Sequence, residues 1–355
     1  MSSSAALFAL VSILLVIAPI AGFLAYVVVR YAPIVVRVFE ENPMFLPLRV
    51  SPVEEGEEVR FRTRDGLGLV GTYLKARTPR RSGVMVFCHE YLSDRWSALP
   101  YADHLRDLGF DLFSFDFRNH GRSESDPAYN PLQWVTDHEV ADLDAALAYL
   151  RNRPDADRAG VGLFGISRGG GTALCAASRD PRVWGVISDG AFPTRGTMSS
   201  YIIRWAKIYV SNKFLWKMVP MAVYEFVAWD ARRRTQAKLN CRYAKVEQAA
   251  ARLAPRPWLS IHGAKDAYIG VDIAKGLFNR AGEPKELWIV EGAKHNRCRE
   301  QNNAAYQARV ASFVGRYAPR GRQEPTQDDK AKVVGPSVVL HELPIATDLG
   351  VVVPG

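Results

Sequence analysis

The chain has 355 residues, of which 48% are hydrophobic and 23% are charged. This composition argues against a disordered or fibrous protein and suits one large α/β domain with additional segments. The formal net charge is +9, from 46 basic and 37 acidic residues, and the basic excess is concentrated in one internal segment described below.

The N-terminal segment predicts a transmembrane helix. Residues 5–29 carry no charge, and a helix of this length would span roughly 37 Å, more than the ~30 Å of a bilayer core. A cleaved signal peptide is disfavoured because no basic residue precedes the run, which is also longer than the usual ~7–15 residues. A buried core helix is disfavoured by the lack of a polar face. Because basic residues occur only downstream, at Arg30, Arg37 and Arg49, we expect a single-pass membrane protein whose remaining chain is cytoplasmic.

The segment after this helix leads into a domain of alternating strands and helices. Residues 31–52 are largely apolar and interrupted by Pro33, Pro43 and Pro47, and we interpret residues 30–58 as a juxtamembrane linker. Alternating residues around Asp65-Gly66 then predict a β-hairpin. Further on, apolar runs of strand length alternate with helical patterns, which predicts a mostly parallel sheet with helices on both faces, formed by residues 59–190 and 257–317. The expected strands are 83–88, 111–115, 161–166, 183–188, 257–261 and 286–290, with helices at 96–108 and 135–150.

One insert interrupts this alternation. Residues 191–256 hold 13 Lys or Arg and three acidic residues, a net charge of +10. We interpret the insert as a helical lid whose apolar anchors and basic rim suit an anionic membrane surface. The alternative is a lid whose aromatic residues pack on the sheet domain and whose charges are merely solvated. Nucleic-acid binding is not expected, because no nucleic-acid motif accompanies the charge. The aromatic residues of the insert are Tyr201, Trp205, Tyr209, Phe214, Trp216, Tyr224, Phe226 and Trp229.

The C-terminal residues and the cysteines predict neither a further domain nor a metal site. Residues 318–355 show no clear period and are interpreted as a flexible tail. The four cysteines have no paired spacing, so neither a zinc site nor a disulfide framework is indicated, and free thiols suit a reducing compartment. No cofactor is expected, and the sequence does not indicate an oligomeric state.

The motif Gly165-Ile166-Ser167-Arg168-Gly169 lies between an apolar strand pattern and a small-residue helix pattern. This context predicts a nucleophile elbow, a sharp strand-to-helix turn that exposes the serine hydroxyl. The two glycines allow close backbone packing around a strained serine, and the following helix directs N–H groups toward an oxyanion beside it.

A serine nucleophile needs a base and an acid, and both follow in the chain. Asp266 comes after the strand at 257–261, and His295 comes after the strand at 286–290. Two successive strand ends would therefore bring an acid and a base to the edge of the sheet where Ser167 lies.

With this order of residues, the chain from about 59 to 317 resembles an α/β-hydrolase. The loop at 115–123 and the pair of His89 and Trp96 also resemble features of that family. The resemblance implies the α/β-hydrolase fold with no cofactor, and it implies Ser167 as nucleophile.

The same resemblance implies roles for four other residues. His295 would be the general base and Asp266 the carboxylate that orients it. The oxyanion hole would be formed by the backbone N–H groups of Arg168 and Tyr91, with that of Glu90 a less favoured second donor. Glu90 stands where the family usually has glycine, so its carboxylate could alter the hole or contact a substrate amine. The Arg168 side chain could contact an anionic substrate or pair with a surface acid.

Several other polar residues near the predicted strand ends receive non-catalytic interpretations. Asp116 and His120 are expected to brace a loop, and His89 and His262 to bond the backbone. Asp189 is an alternative to Asp266 as the acid of the triad. The acidic residues Asp137, Glu139, Asp142 and Asp144 are expected to form a solvated helix face, with no metal.

These residues predict a membrane-tethered serine hydrolase that cleaves an ester or thioester through an acyl-enzyme. The membrane location favours a small or lipid-like acyl substrate, such as a lysophospholipid or monoacylglycerol. A serine peptidase or an acyltransferase could use the same residues, whereas an epoxide or haloalkane hydrolase of the aspartate-nucleophile type is disfavoured by Ser167. The alternative of a different class is a non-catalytic membrane adaptor built on a hydrolase scaffold.

Overall fold

The structure is a computed structural model, and it describes residues 3–40, 47–209 and 220–319. Three parts of the sequence predictions therefore lie outside the described residues. They are the middle of the expected linker, the aromatic residues of the insert between 210 and 219, and nearly all of the C-terminal tail.

Eight strands form one sheet, in the order β1-β2-β4-β3-β5-β6-β7-β8. Strands β1 and β2 form the expected antiparallel hairpin, and β2 also pairs antiparallel with β4. All other neighbours are parallel, which confirms the mostly parallel sheet. The strands are β1 (Glu57–Arg62), β2 (Gly68–Leu74), β3 (Gly83–Cys88), β4 (Phe110–Phe115), β5 (Val161–Ile166), β6 (Val183–Asp189), β7 (Trp258–Gly263) and β8 (Lys285–Val290).

Ten described α-helices surround this sheet or precede it. They are α1 (Ser3–Glu40), α2 (Ala98–Ala102), α3 (Asp137–Arg151), α4 (Arg168–Ala177), α5 (Thr194–Tyr209), α6 (Met221–Lys238), α7 (Val246–Ala251), α8 (Val271–Phe278), α9 (Cys298–Gln301) and α10 (Asn303–Tyr317).

The sheet is buried between two apolar layers, which explains its continuous apolar strands. Helices α3, α4, α7 and α8 cover one face, and α2 and α10 cover the other. Every residue of β3, β4 and β5 is buried. The helix expected at 96–108 is instead a short α-helix with a 3-10 turn at each end. It stops at Gly109, whose φ of 91° ends the helical path.

Helix α1 is longer than the sequence predicted. It runs to Glu40, so residues 30–40 of the expected linker are helical. The correction has a packing cause, since the buried side chains Val35 and Phe39 are one helical turn apart and belong to the apolar cluster that contains the insert. Its segment Val11–Arg37 is long and apolar enough to cross a membrane, and an apolar stretch of 18 residues within it is not covered by other described residues. A signal sequence would share these properties, and the orientation is not fixed by them.

The insert between β6 and β7 contains helices α5, α6 and α7. Its apolar side chains form a third cluster that also includes Trp134 and the C-terminal part of α1. The indole N–H of Trp134 donates to the carbonyl oxygen of Phe39, at 3.3 Å. The insert therefore joins the N-terminal helix to the sheet domain.

Candidate active site

Ser167 lies at the sharp turn between β5 and α4. Its backbone has φ 52° and ψ −114°, a strained conformation for a residue with a side chain. The flanking glycines allow this turn, because a Cβ at either position would clash with the backbone. A Cβ on Gly165 would lie 2.4 Å from the Gly169 carbonyl oxygen, and a Cβ on Gly169 would lie 2.1 Å from that of Cys88. The turn therefore holds the serine against the end of the neighbouring strand β3.

The structure brings Ser167, His295 and Asp266 together. The Ser167 Oγ lies 2.9 Å from His295 Nε2, and His295 Nδ1 lies 2.6 Å from Asp266 Oδ2. All three residues are buried. Since β7 and β8 are parallel neighbours, their carboxyl ends place the acid and the imidazole at the same edge of the sheet as the serine.

The loop after β7 keeps Asp266 in its charged form. Its Oδ1 accepts hydrogen bonds from the backbone N–H groups of Tyr268, at 2.9 Å, and Ile269, at 2.8 Å. Burial alone would raise the pKa of Asp266, but the hydrogen bond from His295 and the backbone donors bring it below its ordinary value. The Tyr268 ring also packs edge-on against the His295 imidazole, with centroids 5.8 Å apart. Sequence reasoning missed Tyr268 and Ile269, because the signal is only their position directly after Asp266.

On the other side of Ser167, the first turn of α4 provides backbone N–H groups. Arg168 is the first residue of α4, and first-turn amides have no acceptor within the helix. Its side chain does not extend to the catalytic cavity. The guanidinium is fully buried, donates to the Leu132 carbonyl at 3.0 Å, and lies 3.4 Å from Glu139 and 3.2 Å from His120 Nε2. The side chain pairs with an acid, as one of the two interpretations expected, but that acid is the buried Glu139 and not a surface residue.

Tyr91 and Glu90 lie in the turn after β3, and both residues are buried. The Tyr91 ring lies 5.3 Å from the Arg168 guanidinium, so this turn packs directly on the start of α4. The Glu90 Oε2 accepts a hydrogen bond from the Ser97 hydroxyl at 3.4 Å. Burial raises the pKa of Glu90 to about 7, so its carboxyl is uncharged over much of the acidic range. The departure from the family pattern therefore places a titratable group beside the expected oxyanion hole.

Asp189 is not bonded to the imidazole. Its Oδ2 accepts from the Tyr306 hydroxyl at 3.1 Å, and its backbone carbonyl accepts from Ser167 N–H at 2.7 Å. Burial raises the pKa of Asp189 to about 6. In this geometry, Asp266 is the carboxylate beside His295.

The neighbouring residues Asp116, His120, His89 and His262 are in the bracing positions expected for them. Asp116 accepts from the backbone N–H groups of Arg95, at 2.7 Å, and Arg122, at 2.8 Å. Each of the three histidines lies within hydrogen-bonding distance of a backbone carbonyl. Burial, followed by the nearby Arg168 guanidinium, lowers the pKa of His120 to about 3, so its imidazole is neutral at ordinary pH.

The prediction that the acidic residues of α3 form a solvated face is wrong for two of them. Glu139 and Asp142 are fully buried. Glu139 accepts from Thr136 and from the Tyr129 hydroxyl and lies beside Arg168, whereas Asp142 forms a 2.7 Å ion pair with Arg118. The sequence contained one part of this signal, because Thr136 and Glu139 have capping-box spacing. The arginines that pair with Glu139 and Asp142 are distant in the sequence, so the sequence pattern could not predict these ion pairs.

A cavity of about 390 Å³ has Ser167 and His295 in its wall. Pro47 and Leu48 of the expected linker contribute apolar surface to it. The remaining lining residues combine aromatic with charged groups and are Glu90, Tyr91, Tyr101, Lys265, Ala267, Tyr268, Lys294, Asn296, Arg297 and Glu300. Within residues 3–40, 47–209 and 220–319, no group of three His, Cys, Asp or Glu residues could hold a metal ion.

Comparison with known proteins agrees with this architecture. The sequence of residues 83–218 matches a family described as the alpha/beta hydrolase fold. Among solved structures, the chain is similar to the esterase Pf2001 of Pyrococcus furiosus, with a TM-score of 0.57 and 20% sequence identity. That match covers 79% of this chain and 100% of the esterase.

Two related proteins match different lengths of this sequence. The uncharacterized protein YfhR of Escherichia coli strain K12 is 25% identical over 267 residues, which are 73% of this chain and 80% of YfhR. The thiohydrolase aneE of Aspergillus aculeatus is 34% identical over 134 residues, which are 37% of this chain and 40% of that enzyme. The solved structure shows the fold of this chain, and about a third of its sequence is similar to part of a thiohydrolase.

Proposed function

Since this chain has the α/β-hydrolase fold, we propose that it is a membrane-anchored serine hydrolase that cleaves an ester or thioester. The observation that carries the proposal is the continuous contact from Ser167 Oγ to His295 Nε2 at 2.9 Å and from His295 Nδ1 to Asp266 Oδ2 at 2.6 Å. This relay adjoins a cavity of about 390 Å³, which is within the usual range of small-molecule sites.

The reaction begins when His295 takes the hydroxyl proton of Ser167 as the oxygen attacks the acyl carbon. The C=O electron pair moves to the carbonyl oxygen, which the backbone N–H groups of Arg168 and Tyr91 stabilise. Asp266 stabilises the imidazolium. Collapse of the intermediate breaks the bond to the alcohol or thiol, which leaves with the proton from His295. Water, deprotonated by the same imidazole, then attacks the acyl-enzyme and releases the acid and the free serine.

The walls of the cavity favour a substrate with an apolar acyl part. Leu48, Tyr101 and Tyr268 contribute apolar or aromatic surface to it. The exposed side chains Lys265 and Lys294 are at the same cavity, and among the described residues neither forms an ion pair. A leaving group or headgroup with negative charge would suit these two ammonium groups. A small lipid-like acyl ester or acyl thioester meets both conditions, and the proposed membrane anchor would bring the enzyme to such a substrate.

The proposal is tested with a fluorophosphonate probe on the detergent-solubilised full-length chain. We expect the probe to phosphonylate Ser167, and we expect labelling to be lost in Ser167→Ala and in His295→Ala. Ser178→Ala and His104→Ala serve as matched controls, since both residues lie away from the cavity, and they should label like the wild type. A panel of esters and thioesters of increasing chain length would then identify the acyl group.

The same experiment separates the alternatives. Cleavage of peptides in preference to esters would identify a peptidase, and acyl transfer to an added alcohol in preference to water would identify an acyltransferase. A folded wild type that is not labelled, with or without lipid vesicles, would contradict the hydrolase proposal and favour an adaptor.

A further inference from the structure

Helix α6 presents an exposed stripe that changes from apolar to basic along its length. Ala222, Phe226, Trp229 and Arg233 are exposed and are separated by four, three and four residues, so they share one face of the helix. The Phe226 and Trp229 rings stack with centroids 5.7 Å apart. The Arg233 guanidinium lies 5.9 Å from the centre of the Trp229 ring. Phe226 is 39% exposed and Trp229 is 49% exposed, so two adjacent aromatic rings are open to the surroundings.

The opposite face of α6 packs against α1, and the two helices run in the same direction. Lys238 Nζ lies 2.7 Å from Glu40 Oε2, which places the C-terminal ends of both helices side by side. From these C-terminal ends, α1 and α6 are in extended contact with each other. The apolar side chains of their shared cluster are Val27, Val35, Val36 and Phe39 of α1 and Tyr224, Val227, Ala228 and Ala231 of α6.

The contact between the C-terminal ends determines which residues of α1 lie beside the start of α6. Met221 precedes Lys238 by 17 residues, as Phe23 precedes Glu40 by 17 residues. Because both helices rise by about 1.5 Å per residue, the start of α6 lies beside the middle of the candidate span Val11–Arg37. The first half of α6 therefore lies beside the part of α1 that the membrane would surround.

The distribution of charges along α6 agrees with a position at a membrane surface. Glu225, the acidic residue of its first half, accepts a hydrogen bond from Ser199 at 2.8 Å and so points toward α5. The second half contains Asp230 followed by three arginines and Lys238, a net charge of +3. The arginines are Arg232, Arg233 and Arg234. Arg233 and Arg234 are exposed, and each contacts the buried Asp230. The cations thus follow the aromatic residues, as at a membrane interface.

We propose that α6 is a second membrane-docking element of this protein. Phe226 and Trp229 contact the acyl chains beside α1, between the middle of the bilayer and the headgroups, and the exposed Arg233 and Arg234 contact anionic headgroups. The partner is the anionic lipid surface of the leaflet on the side of the hydrolase domain. The inference rests on the membrane anchoring of α1 in the proposed function and does not depend on hydrolase activity.

Single-cysteine labelling of the full-length chain tests this docking. The four native cysteines are buried, so an environment-sensitive thiol fluorophore would report on an introduced residue. The test position is Phe226→Cys. Leu108→Cys is the matched control, since Leu108 is 43% exposed and belongs to the sheet domain. Val16→Cys reports on the anchor itself. Each labelled protein is reconstituted in vesicles of phosphatidylcholine and phosphatidylglycerol that contain a nitroxide on the acyl chain.

We expect the label at position 226 to shift to shorter wavelength and to be quenched at least twofold more than the label at 108. A label at 226 that behaves like the one at 108, while the label at 16 is quenched, overturns the docking of α6 alone. A label at 16 that is not quenched overturns the anchoring and the docking together. Contact between labels at 226 of two copies, without quenching by lipid, would show that a second copy covers the stripe and would also overturn the proposal.

The contribution of the arginines is measured separately. Quenching at position 226 should decrease when phosphatidylglycerol is omitted from the vesicles, because Arg233 and Arg234 would lose their anionic partners. Equal quenching in pure phosphatidylcholine would overturn the assignment of these arginines to headgroup contact.

Discussion

The carboxyl groups of Asp266 and Glu90 lie on the two sides of Ser167. Both are buried, but their pKa values are shifted in opposite directions. On the base side, Asp266 accepts hydrogen bonds from His295 and from two backbone N–H groups, and its pKa is lowered despite its burial. On the oxyanion side, burial raises the pKa of Glu90 to about 7, although hydrogen bonds, including those from Ser93 and Ser97, partly oppose this shift. The difference is the imidazole of His295, whose hydrogen bond and charge favour the ionised form of Asp266, so the type of partner, and not burial alone, determines which carboxyl carries a charge.

A similar contrast holds for the cations near the serine. Arg168 on the oxyanion side is fully buried and contacts Glu139, whereas Lys265 and Lys294 flank the acid and the base and are exposed. The buried arginine can fix the start of α4, and the exposed lysines remain available to a ligand. Three substitutions would test these differences between the base side and the oxyanion side of Ser167.

The largest effect is expected on the base side, from Asp266→Asn. The amide keeps the shape of the side chain but cannot stabilise the imidazolium, so we expect kcat/KM to fall by about 10³- to 10⁴-fold. Ester hydrolysis and a thermal unfolding curve would be measured together, and the exposed Asp272→Asn is the control. Activity within tenfold of the wild type in a folded protein would contradict the role of Asp266. Asp189→Asn would then be the next variant to measure.

On the oxyanion side, Glu139→Ala should mainly affect stability. The change leaves the buried Arg168 guanidinium without its carboxylate, which typically costs about 3–5 kcal/mol of the free energy of unfolding. Asp144→Ala on the same helix breaks an exposed pair with Arg179 and should cost about 0–1 kcal/mol. Urea unfolding of both variants measures the difference. Equal, small losses would show that the buried pair does not stabilise the elbow, and a Glu139→Ala, Arg168→Met double variant should recover part of the loss.

The third change, Glu90→Gln, should appear only as a change in pH dependence. The folded-state pKa of about 7 lies above the ordinary glutamate pKa of 4.5, so the folded protein binds a proton that the unfolded chain releases in this range. The stabilising contribution of the protonated carboxyl is therefore complete below pH 4.5 and is lost as the pH rises through 7. Glu90→Gln should remove this decline, which is on the order of 1–3 kcal/mol.

The same variant also tests the oxyanion side in catalysis. Above pH 7 the Glu90 carboxylate would oppose the developing oxyanion, so kcat/KM of the wild type should fall relative to that of Glu90→Gln. Melting temperatures and kcat/KM at pH 5 and 8 measure both effects, with the exposed Glu54→Gln as control; the two pH values lie on opposite sides of the Glu90 pKa of about 7. Parallel pH profiles for the wild type and Glu90→Gln would show that this carboxyl does not titrate in that range.

Much of the architecture was accessible from local patterns alone. Strands of continuous apolar residues, the Gly-x-Ser-x-Gly turn, and the order of Ser167, Asp266 and His295 predicted a mostly parallel sheet with three polar residues at one edge. These features are local or depend on strand direction, so sequence spacing determines them. The long apolar run at the N-terminus likewise predicted one helix that could cross a membrane, although it did not show where that helix ends.

Tertiary contacts decided the remaining features. The end of α1 at Glu40, the burial of Glu139 and Asp142, the contact between Arg168 and Glu139, and the packing of α6 beside α1 all join residues that are far apart in the sequence. Whether an acidic residue on a helix faces solvent or a buried arginine depends on which element covers it, and spacing within the helix does not contain that information. By itself, the sequence determined which chemical groups meet at the sheet edge; only the folded structure decided which of them are charged, because hydrogen-bond donors and burial are supplied by distant segments.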